Sequence, residues 1–407
     1  MISQQLNDQI TRIGPGSDAG TVIRQYWQPA CLSDEMTDGL PLAVNLLGER
    51  LALIHDEEGA LTLATRRVSE DAAPTDMPAS DQIEIEPSGP SYPAHAQKGV
   101  VFAYMGPGTP PAFPNFDCFR APDTHVFAFK GLWRCNWLQA LEIGIDPAHA
   151  SFLHRFLEDE DPADSYGKQF RDKAAHTDMP MTQVLREFPR PDIQVDETDY
   201  GLKITALRHM ENDLTHVRVT NQIFPQAICI PMSREMTITQ WHVPVDDENC
   251  YWYTIFTSFD APVNKELMRA QRLKEHRLPD YAPLKDASNN YHYDPAEQAS
   301  MTYTGMGLDI NVHDQWAVEG MGAIQDRTQE HLGRSDVAII RYRRMLRRAI
   351  ADLETVGAQA LPMQTAAASK IIGPLSNDAI TATSNWQQAS HAADMARRAE
   401  CPWDASV

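Results

Sequence analysis

The 407-residue sequence has little positive charge, few cysteines and no long hydrophobic run. It contains 35 Lys and Arg against 56 Asp and Glu, which gives a formal net charge of -21. Nucleic acids and anionic membrane surfaces bind cationic proteins, so this composition argues against both as partners. No stretch of about 18 consecutive apolar residues occurs, so no transmembrane helix is predicted. The opening residues, MISQQLNDQI, lack the basic and apolar regions of a signal peptide.

The six cysteines are scattered along the chain, and none belongs to a Cys-x-x-Cys pair. Disulfide frameworks are typical of small secreted domains, whereas unpaired cysteines are typical of reducing compartments. We therefore expect an acidic cytoplasmic protein. The chain is long enough for one large core or for two domains.

The segment with the clearest candidate chemistry runs from Cys135 to Phe156 and reads CNWLQALEIGIDPAHASFLHRF. It contains His149 and His154, with Asp146 shortly before the first histidine. Imidazole binds iron, copper, nickel and zinc, and two His with one carboxylate on one face of Fe(II) leave positions open for O2 and substrate. A carboxylate ligand must then come from elsewhere in the chain.

Local geometry sets a condition on this site. Asp146 is expected to be the N-cap of a short helix with Pro147 at its first position. Residues five apart on an ideal helix lie about 140° apart around its axis, so a widened turn or a helix end is predicted between His149 and His154. The alternative is that both are ordinary helix histidines, one partly buried and one exposed.

The strings NWLQALE and GIDPAHASFLH resemble the iron-binding segment of Rieske non-heme iron oxygenases, in the branch that includes phthalate dioxygenase and aromatic O-demethylases. In that family Asp-x-x-His-x-x-x-x-His supplies two histidine ligands of a mononuclear Fe(II), and the resemblance places them on His149 and His154. The family's Asp, here Asp146, bridges the iron to a [2Fe–2S] cluster in a neighbouring subunit. The resemblance puts the carboxylate ligand on Asp314 in VHDQWAVEG, with Asp326 as the alternative.

The resemblance extends to the N-terminal part but breaks where the cluster should lie. YWQPA at 26–30 and LLGERL at 46–51 resemble the family's small β-domain, and alternating apolar residues predict short antiparallel strands there. In the family, the following residues carry Cys-x-His and Cys-x-x-His, which hold the Rieske cluster. Residues 66–92 contain neither Cys nor His, and no cysteine in the sequence has a His two or three residues after it. We therefore expect no [2Fe–2S] cluster in this chain.

Alternating residues predict strands at Lys203–Arg208, Val217–Ile223, Thr237–Val243 and Tyr251–Phe259. A long irregular loop is expected over Leu278–Tyr303, and a long helix whose arginines lie mostly on the exposed side is predicted from Val337 to about Thr355. Strands followed by a long helix indicate an α+β architecture. The resemblance implies a degenerate Rieske-like β-domain over 1–115. It also implies a helix-grip (START-like) catalytic domain over 116–356, in which an antiparallel sheet surrounds the long C-terminal helix. The tail, 357–407, has weak patterning and no predicted role. The acidic run Glu158–Asp164 is expected to be a solvated loop.

An iron site without a cluster predicts one component of a hetero-oligomeric oxygenase that hydroxylates or oxidatively demethylates an aromatic acid or ether. The cluster would lie on a homologous partner subunit in a head-to-tail trimeric or hexameric ring. A reductase or ferredoxin would supply the electrons to that cluster, and so indirectly to this chain. Three alternatives stay open: a non-catalytic structural or regulatory subunit, a stand-alone iron enzyme with another reductant, and a carrier of a hydrophobic ligand. The candidates for binding a substrate carboxylate are Arg186, Arg208 and Arg218.

Overall fold

The computed structural model describes residues 1–69, 72–73, 75–158, 179–364, 370–371 and 373–404. Apart from its first residue, the predicted acidic loop at 158–164 lies outside these residues. The helices of the described residues are α1 (Gln4–Thr11), α2 (Asp18–Ile23), α3 (Asp117–Arg120), α4 (Trp137–Gly144), α5 (His149–Phe152), α6 (Met181–Glu187), α7 (Lys265–Arg272), α8 (Pro295–Ser300), α9 (Ile310–Glu319), α10 (Val337–Thr355) and α11 (Trp386–Glu400). The strands are β1 (Trp27–Leu32), β2 (Leu42–Leu46), β3 (Glu49–His55), β4 (Leu61–Thr65), β5 (Ser91–Gln97), β6 (Val100–Tyr104), β7 (Val126–Trp133), β8 (Asp192–Thr198), β9 (Gly201–His209), β10 (Leu214–Ile223), β11 (Ala227–Pro231), β12 (Met236–Pro244), β13 (Cys250–Ser258) and β14 (Asn377–Ala382).

The strands form two antiparallel sheets. The first has six strands in the order β1-β6-β5-β4-β3-β2, and the second has eight, in the order β7-β13-β12-β11-β10-β9-β8 with β14 paired to β10. The α+β class expected from the sequence is confirmed. None of the helices in the described ranges is long and apolar enough to cross a membrane.

The second sheet follows the alternation seen in the sequence. The strands predicted within 203–208, 217–223, 237–243 and 251–259 are confirmed as β9, β10, β12 and β13. Strand β13 is buried along its whole length because it lies between β7 and β12 and carries large apolar side chains. The sheet therefore provides a rigid wall against which α4 packs.

The long helix α10 has the predicted bounds, Val337–Thr355. Its arginines were expected to lie mostly on the exposed side, and four of the five do. Arg343 is the exception, because it is buried and donates to both carboxylate oxygens of Glu142 on α4. The region 278–303, expected as an irregular loop, contains a 3-10 segment and α8.

The tail adds to the second sheet. Strand β14 pairs with the first half of β10, while β11 pairs with its second half. Helix α11 is anchored by Arg398, whose guanidinium donates to Asp117, Asp394 and Asp404. All four of these side chains are buried. A segment with weak sequence patterning is thus held by a network of charges.

Candidate metal centre

The two predicted histidines lie where α4 gives way to a short turn and then to α5. Helix α4 begins at the N-cap Asn136, whose side chain accepts a hydrogen bond from Leu138 N (3.1 Å), and most of its residues are buried. Asp146 follows it, and its two carboxylate oxygens accept hydrogen bonds from Ala148 N (2.8 Å) and His149 N (3.1 Å). These two hydrogen bonds fix the turn between α4 and α5 and hold His149 at the start of α5.

The helix bounds decide how the two imidazoles can meet. Helix α5 begins at His149, so the expected start at Pro147 is wrong by two residues, because residues 147–148 form a turn held by the Asp146 carboxylate. The predicted helix end between the histidines is confirmed, since α5 ends at Phe152 and His154 lies beyond it. The chain is therefore free to turn His154 back toward His149.

The carboxylate comes from α9. This helix has Asp309 as its N-cap, which accepts a hydrogen bond from Asn311 N (2.9 Å) and forms a buried ion pair with Arg272 on α7. The cap and the ion pair fix the position of the first turn of α9. Asp314 lies in the next turn and faces the two histidines.

The three side chains converge on one point. His149 Nε2 and His154 Nε2 are 3.2 Å apart, and Asp314 Oδ1 lies 3.6 Å from the first and 3.1 Å from the second. With bonds of about 2.1 Å, two ligand atoms at right angles around a first-row divalent metal lie about 3 Å apart. Within the described residues these three form the only group of three or more His, Cys, Asp or Glu that could hold a metal ion.

The electrostatics of the group fit a divalent cation. Asp314 Oδ1 is buried and accepts no hydrogen bond from the described residues. Burial raises the pKa of Asp314 to about 6 and lowers the pKa of His149. Neutral imidazoles and a carboxylate are the forms that bind metal, and a cation between them would stabilise the ionised carboxylate.

The His149 ring is oriented for this role. Its Nδ1 lies within hydrogen-bonding distance of the Asp146 backbone oxygen. A carbonyl only accepts, so Nδ1 carries the hydrogen and Nε2 keeps its lone pair. Such a hydrogen bond on the far nitrogen is common for metal-binding histidines.

The alternative carboxylate lies elsewhere. Asp326 is exposed, and its Oδ1 accepts hydrogen bonds from Thr328 N (2.9 Å) and Thr328 Oγ1 (2.6 Å). It stabilises a turn and does not approach the histidines. The structure brings Asp314, and not Asp326, to His149 and His154.

The metal-site residues lie at the wall of a cavity of about 130 Å³. Its other walls are mainly apolar and include Ile228 and Ile230 of β11 and Met232 just beyond the end of that strand. His242 also lines it, and burial lowers the pKa of this ring to about 3, so it is neutral. An apolar cavity of about 150 Å³ in another protein accepts benzene, so this space fits a single aromatic ring.

The arginine candidates have different surroundings. Arg218 lines the cavity and donates to Asp378 Oδ2 (2.8 Å), whose other oxygen lies 3.0 Å from His216 Nε2. Arg208 is buried and donates to the backbone oxygen of Pro147 (3.0 Å), and it forms no ion pair within the described residues. Arg218 is therefore the arginine at the cavity wall, beside the carboxylates of Asp146 and Asp314. Arg186 does not line it and donates to a backbone oxygen, that of residue 156 (3.2 Å).

Comparison with known proteins places the chain in a family. The family described as LigXa C-terminal domain like matches residues 103–401. This chain belongs to that family. The phthalate 4,5-dioxygenase oxygenase subunit of Pseudomonas putida is 28% identical over 422 residues, which cover 91% of this chain and 93% of that protein. The 5,5'-dehydrodivanillate O-demethylase oxygenase subunit of a Sphingobium species is 25% identical, over 88% of this chain and 81% of that protein.

Solved structures in the same comparison include a carbazole-bound oxygenase in complex with ferredoxin, from carbazole 1,9a-dioxygenase. It has 18% identity and a TM-score of 0.49, and the match covers 91% of this chain and 97% of that one. The resemblance to the phthalate dioxygenase and O-demethylase branch is confirmed by the relatives, which are oxygenase subunits.

Three residues at the site were missed by sequence reasoning. His313 contacts His154, His242 lines the cavity, and Asp378 pairs with Arg218 from the tail. His313 stands beside Asp314 in the sequence, but neighbouring helix residues point about 100° apart. The adjacency of His313 and Asp314 in the sequence therefore did not indicate that both residues lie at the metal site.

Proposed function

We propose that this chain is an iron-binding component of a hetero-oligomeric Rieske-type aromatic oxygenase. Fe(II) would be held by His149, His154 and Asp314, and electrons would come from a [2Fe–2S] cluster on a homologous partner subunit. The observation that carries the proposal is the meeting of two imidazole nitrogens and one orphaned carboxylate oxygen at the wall of an apolar cavity. When bound, Fe(II) with this ligand set activates O2.

The burial and the sequence neighbours of the cysteines support a cluster on another chain. All six are buried, and within the described residues none belongs to a group of three or more metal-binding side chains. A Rieske cluster needs two thiolates and two imidazoles, and the printed sequence has no Cys-x-His or Cys-x-x-His. We propose that the six-stranded sheet is a cluster domain that has lost its ligands. Unpaired cysteines also agree with a cytoplasmic location.

Asp146 would be the entry point for electrons. It is only partly buried, its carboxylate holds the amides of Ala148 and His149, and its backbone oxygen contacts the His149 ring. A partner subunit that contacted Asp146 would thus be connected to the proposed iron ligand His149 through this single residue. A head-to-tail ring, in which two related chains alternate, would bring a partner's cluster to this place.

The substrate class follows from the cavity. Its volume suits one aromatic ring, and the Arg218 guanidinium at its wall would be placed to pair with a carboxylate of the substrate. We therefore propose an aromatic acid, hydroxylated on the ring or demethylated at an ether oxygen. The side chains of this chain would orient the ring and exclude water from it.

Metal analysis tests the proposal. The chain purified alone with Fe(II) is expected to hold about one iron, no acid-labile sulfide and no iron–sulfur absorbance. His149→Ala and Asp314→Ala should each lose the iron, while His95→Ala, which alters a histidine of β5 outside the site, should keep it. A wild-type chain that binds no Fe(II), or that carries its own iron–sulfur cluster, contradicts the proposal.

The structural or regulatory role is separated from catalysis by the same variant. In a complex reconstituted with the cluster-bearing partner, His149→Ala should abolish turnover. Unchanged turnover would show that this chain supports an active site on the partner and does not contain one.

A further inference from the structure

A second buried histidine lies behind one of the candidate iron ligands. His313 on α9 has no exposed surface, and its Nε2 lies 2.8 Å from the backbone oxygen of Gly307. On the other side, its Nδ1 lies 3.5 Å from Nδ1 of His154. The two rings also stack, with centroids 5.6 Å apart and planes 29° apart.

The direction of these hydrogen bonds follows from the carbonyl. A backbone oxygen only accepts, so His313 Nε2 carries a hydrogen. His154 Nε2 faces His149 Nε2 and Asp314 Oδ1, and it needs its lone pair there to bind a metal, so the hydrogen of the His154 ring belongs on Nδ1. The Nδ1 of His313 that faces it is then the acceptor. His154 then donates from its own Nδ1, and its Nε2 keeps the lone pair that faces His149 and Asp314.

We propose that His313 is a positioning residue that fixes the tautomer and the ring orientation of His154 for binding iron through Nε2. This inference rests on the proposed function, because it concerns the same metal site. It assigns to His313 the task that the Asp146 backbone oxygen performs for His149. A hydrogen-bond partner on the far nitrogen raises the basicity of a metal-binding imidazole and holds its orientation.

The arrangement couples two of the three ligands through one helix. Helix α9 carries Asp314 itself and, at the preceding position, the support of His154. The helix start is held by Asp309 and the buried Arg272, and Gly307 lies just before it. A shift of α9 would therefore displace the carboxylate and release the imidazole together.

Two substitutions of His313 separate the effect of its hydrogen bonds from the effect of its side-chain volume. In His313→Gln, the amide nitrogen donates to Gly307 O and the amide oxygen accepts from His154, so both hydrogen bonds can persist. His313→Leu removes both while keeping a buried side chain of similar size. His125→Leu is the matched control, because His125 is also buried and contacts a backbone oxygen, that of Asp260 (3.1 Å), outside the site.

Metal affinity is the first measurement. The dissociation constant for Fe(II), from competition with a chromogenic chelator, should rise about 10- to 100-fold in His313→Leu. His313→Gln and His125→Leu should stay close to wild type. The visible spectrum of the chain loaded with Co(II) should change in His313→Leu and not in the other two. Wild-type affinity and spectrum in His313→Leu, or an equal loss in His313→Gln, would overturn the inference.

Histidine tautomers provide a measurement that needs no variant. In the zinc-loaded wild-type chain, 15N spectra of labelled histidine should show His154 bound through Nε2 with a hydrogen on Nδ1, and His313 with its hydrogen on Nε2. A hydrogen on Nδ1 of His313 would overturn the inference even if metal binds. Failure of the wild-type chain to bind Fe(II) or Zn(II) would instead refute the proposed function.

Discussion

His154 Nε2 lies 3.1 Å from Asp314 Oδ1, although His154 follows the end of α5 and Asp314 lies within α9. The contact exists because α4 and α9 pack against each other and each helix is fixed at its start by a side-chain cap. A buried carboxylate beside two imidazoles is unfavourable unless a cation neutralises it. The relationship therefore motivates tests of the metal site and of the groups that hold it.

Asp146→Asn should separate iron binding from electron supply. Asn keeps one of the two acceptor oxygens that hold the amides of Ala148 and His149, so most of the turn before α5 and of the iron content should be retained. Turnover by the reconstituted complex should fall steeply, because the carboxylate proposed as the entry point for electrons is lost. Iron analysis and steady-state product formation check the two halves of the prediction. Full turnover in Asp146→Asn would refute the role of Asp146 as the route for electrons.

Arg218→Met should weaken binding of an aromatic acid. A hydrogen bond to a charged group contributes about 1.5–3 kcal/mol, so the dissociation constant should rise about 10- to 150-fold. The amide of the same acid, which has no charge, should bind wild type and Arg218→Met equally. Calorimetry with both compounds makes the measurement. Equal loss for acid and amide would show that Arg218 shapes the cavity and does not recognise a carboxylate.

Glu142→Gln should lower the free energy of unfolding by about 3–5 kcal/mol, because it leaves buried Arg327 and Arg343 without their shared carboxylate. The exposed Glu354 on α10 provides the control, since Glu354→Gln should change stability by less than about 0.5 kcal/mol. Urea unfolding at neutral pH is the measurement. Similar effects in the two variants would contradict a stabilising role for the buried pair.

The same residue predicts a pH dependence. Burial raises the pKa of Glu142, but the two guanidinium groups outweigh it and hold the pKa below its usual value of 4.5. A carboxyl with a lowered pKa in the folded state contributes stability above its unfolded pKa and loses it as the pH falls through the folded pKa. Wild-type stability should therefore fall as the pH drops below about 4.5, and Glu142→Gln should fall less over that range. Parallel curves for the two proteins would refute the assignment.

Arg398→Met should loosen the C-terminal tail. It leaves the buried Asp117, Asp394 and Asp404 with less positive charge, at a cost of about 3–5 kcal/mol. Arg348→Met removes an exposed pair with Glu197 and should cost at most about 1 kcal/mol. Hydrogen exchange in β14 and α11 should rise only in Arg398→Met. Protection equal to wild type would show that the network is dispensable.

The sequence by itself determined the α+β class, the strands of the second sheet and the bounds of α10, because alternation and helical periodicity are local properties. It also indicated Asp146, His149, His154 and Asp314, through a resemblance to a family whose relatives confirm it. The helix end between the histidines followed from elementary helix geometry and is present.

Only the tertiary structure shows that Asp314, and not Asp326, lies beside His149 and His154, since its position depends on how α9 packs against α4 and not on its own neighbours in the chain. It also revealed His313 behind His154, and Asp378 of the tail beside Arg218. The packing of the tail could not be predicted from its weak sequence pattern, because charged residues, which are usually exposed to solvent, are buried there in ion pairs. Such pairing joins residues far apart in the chain, so no local pattern can report it.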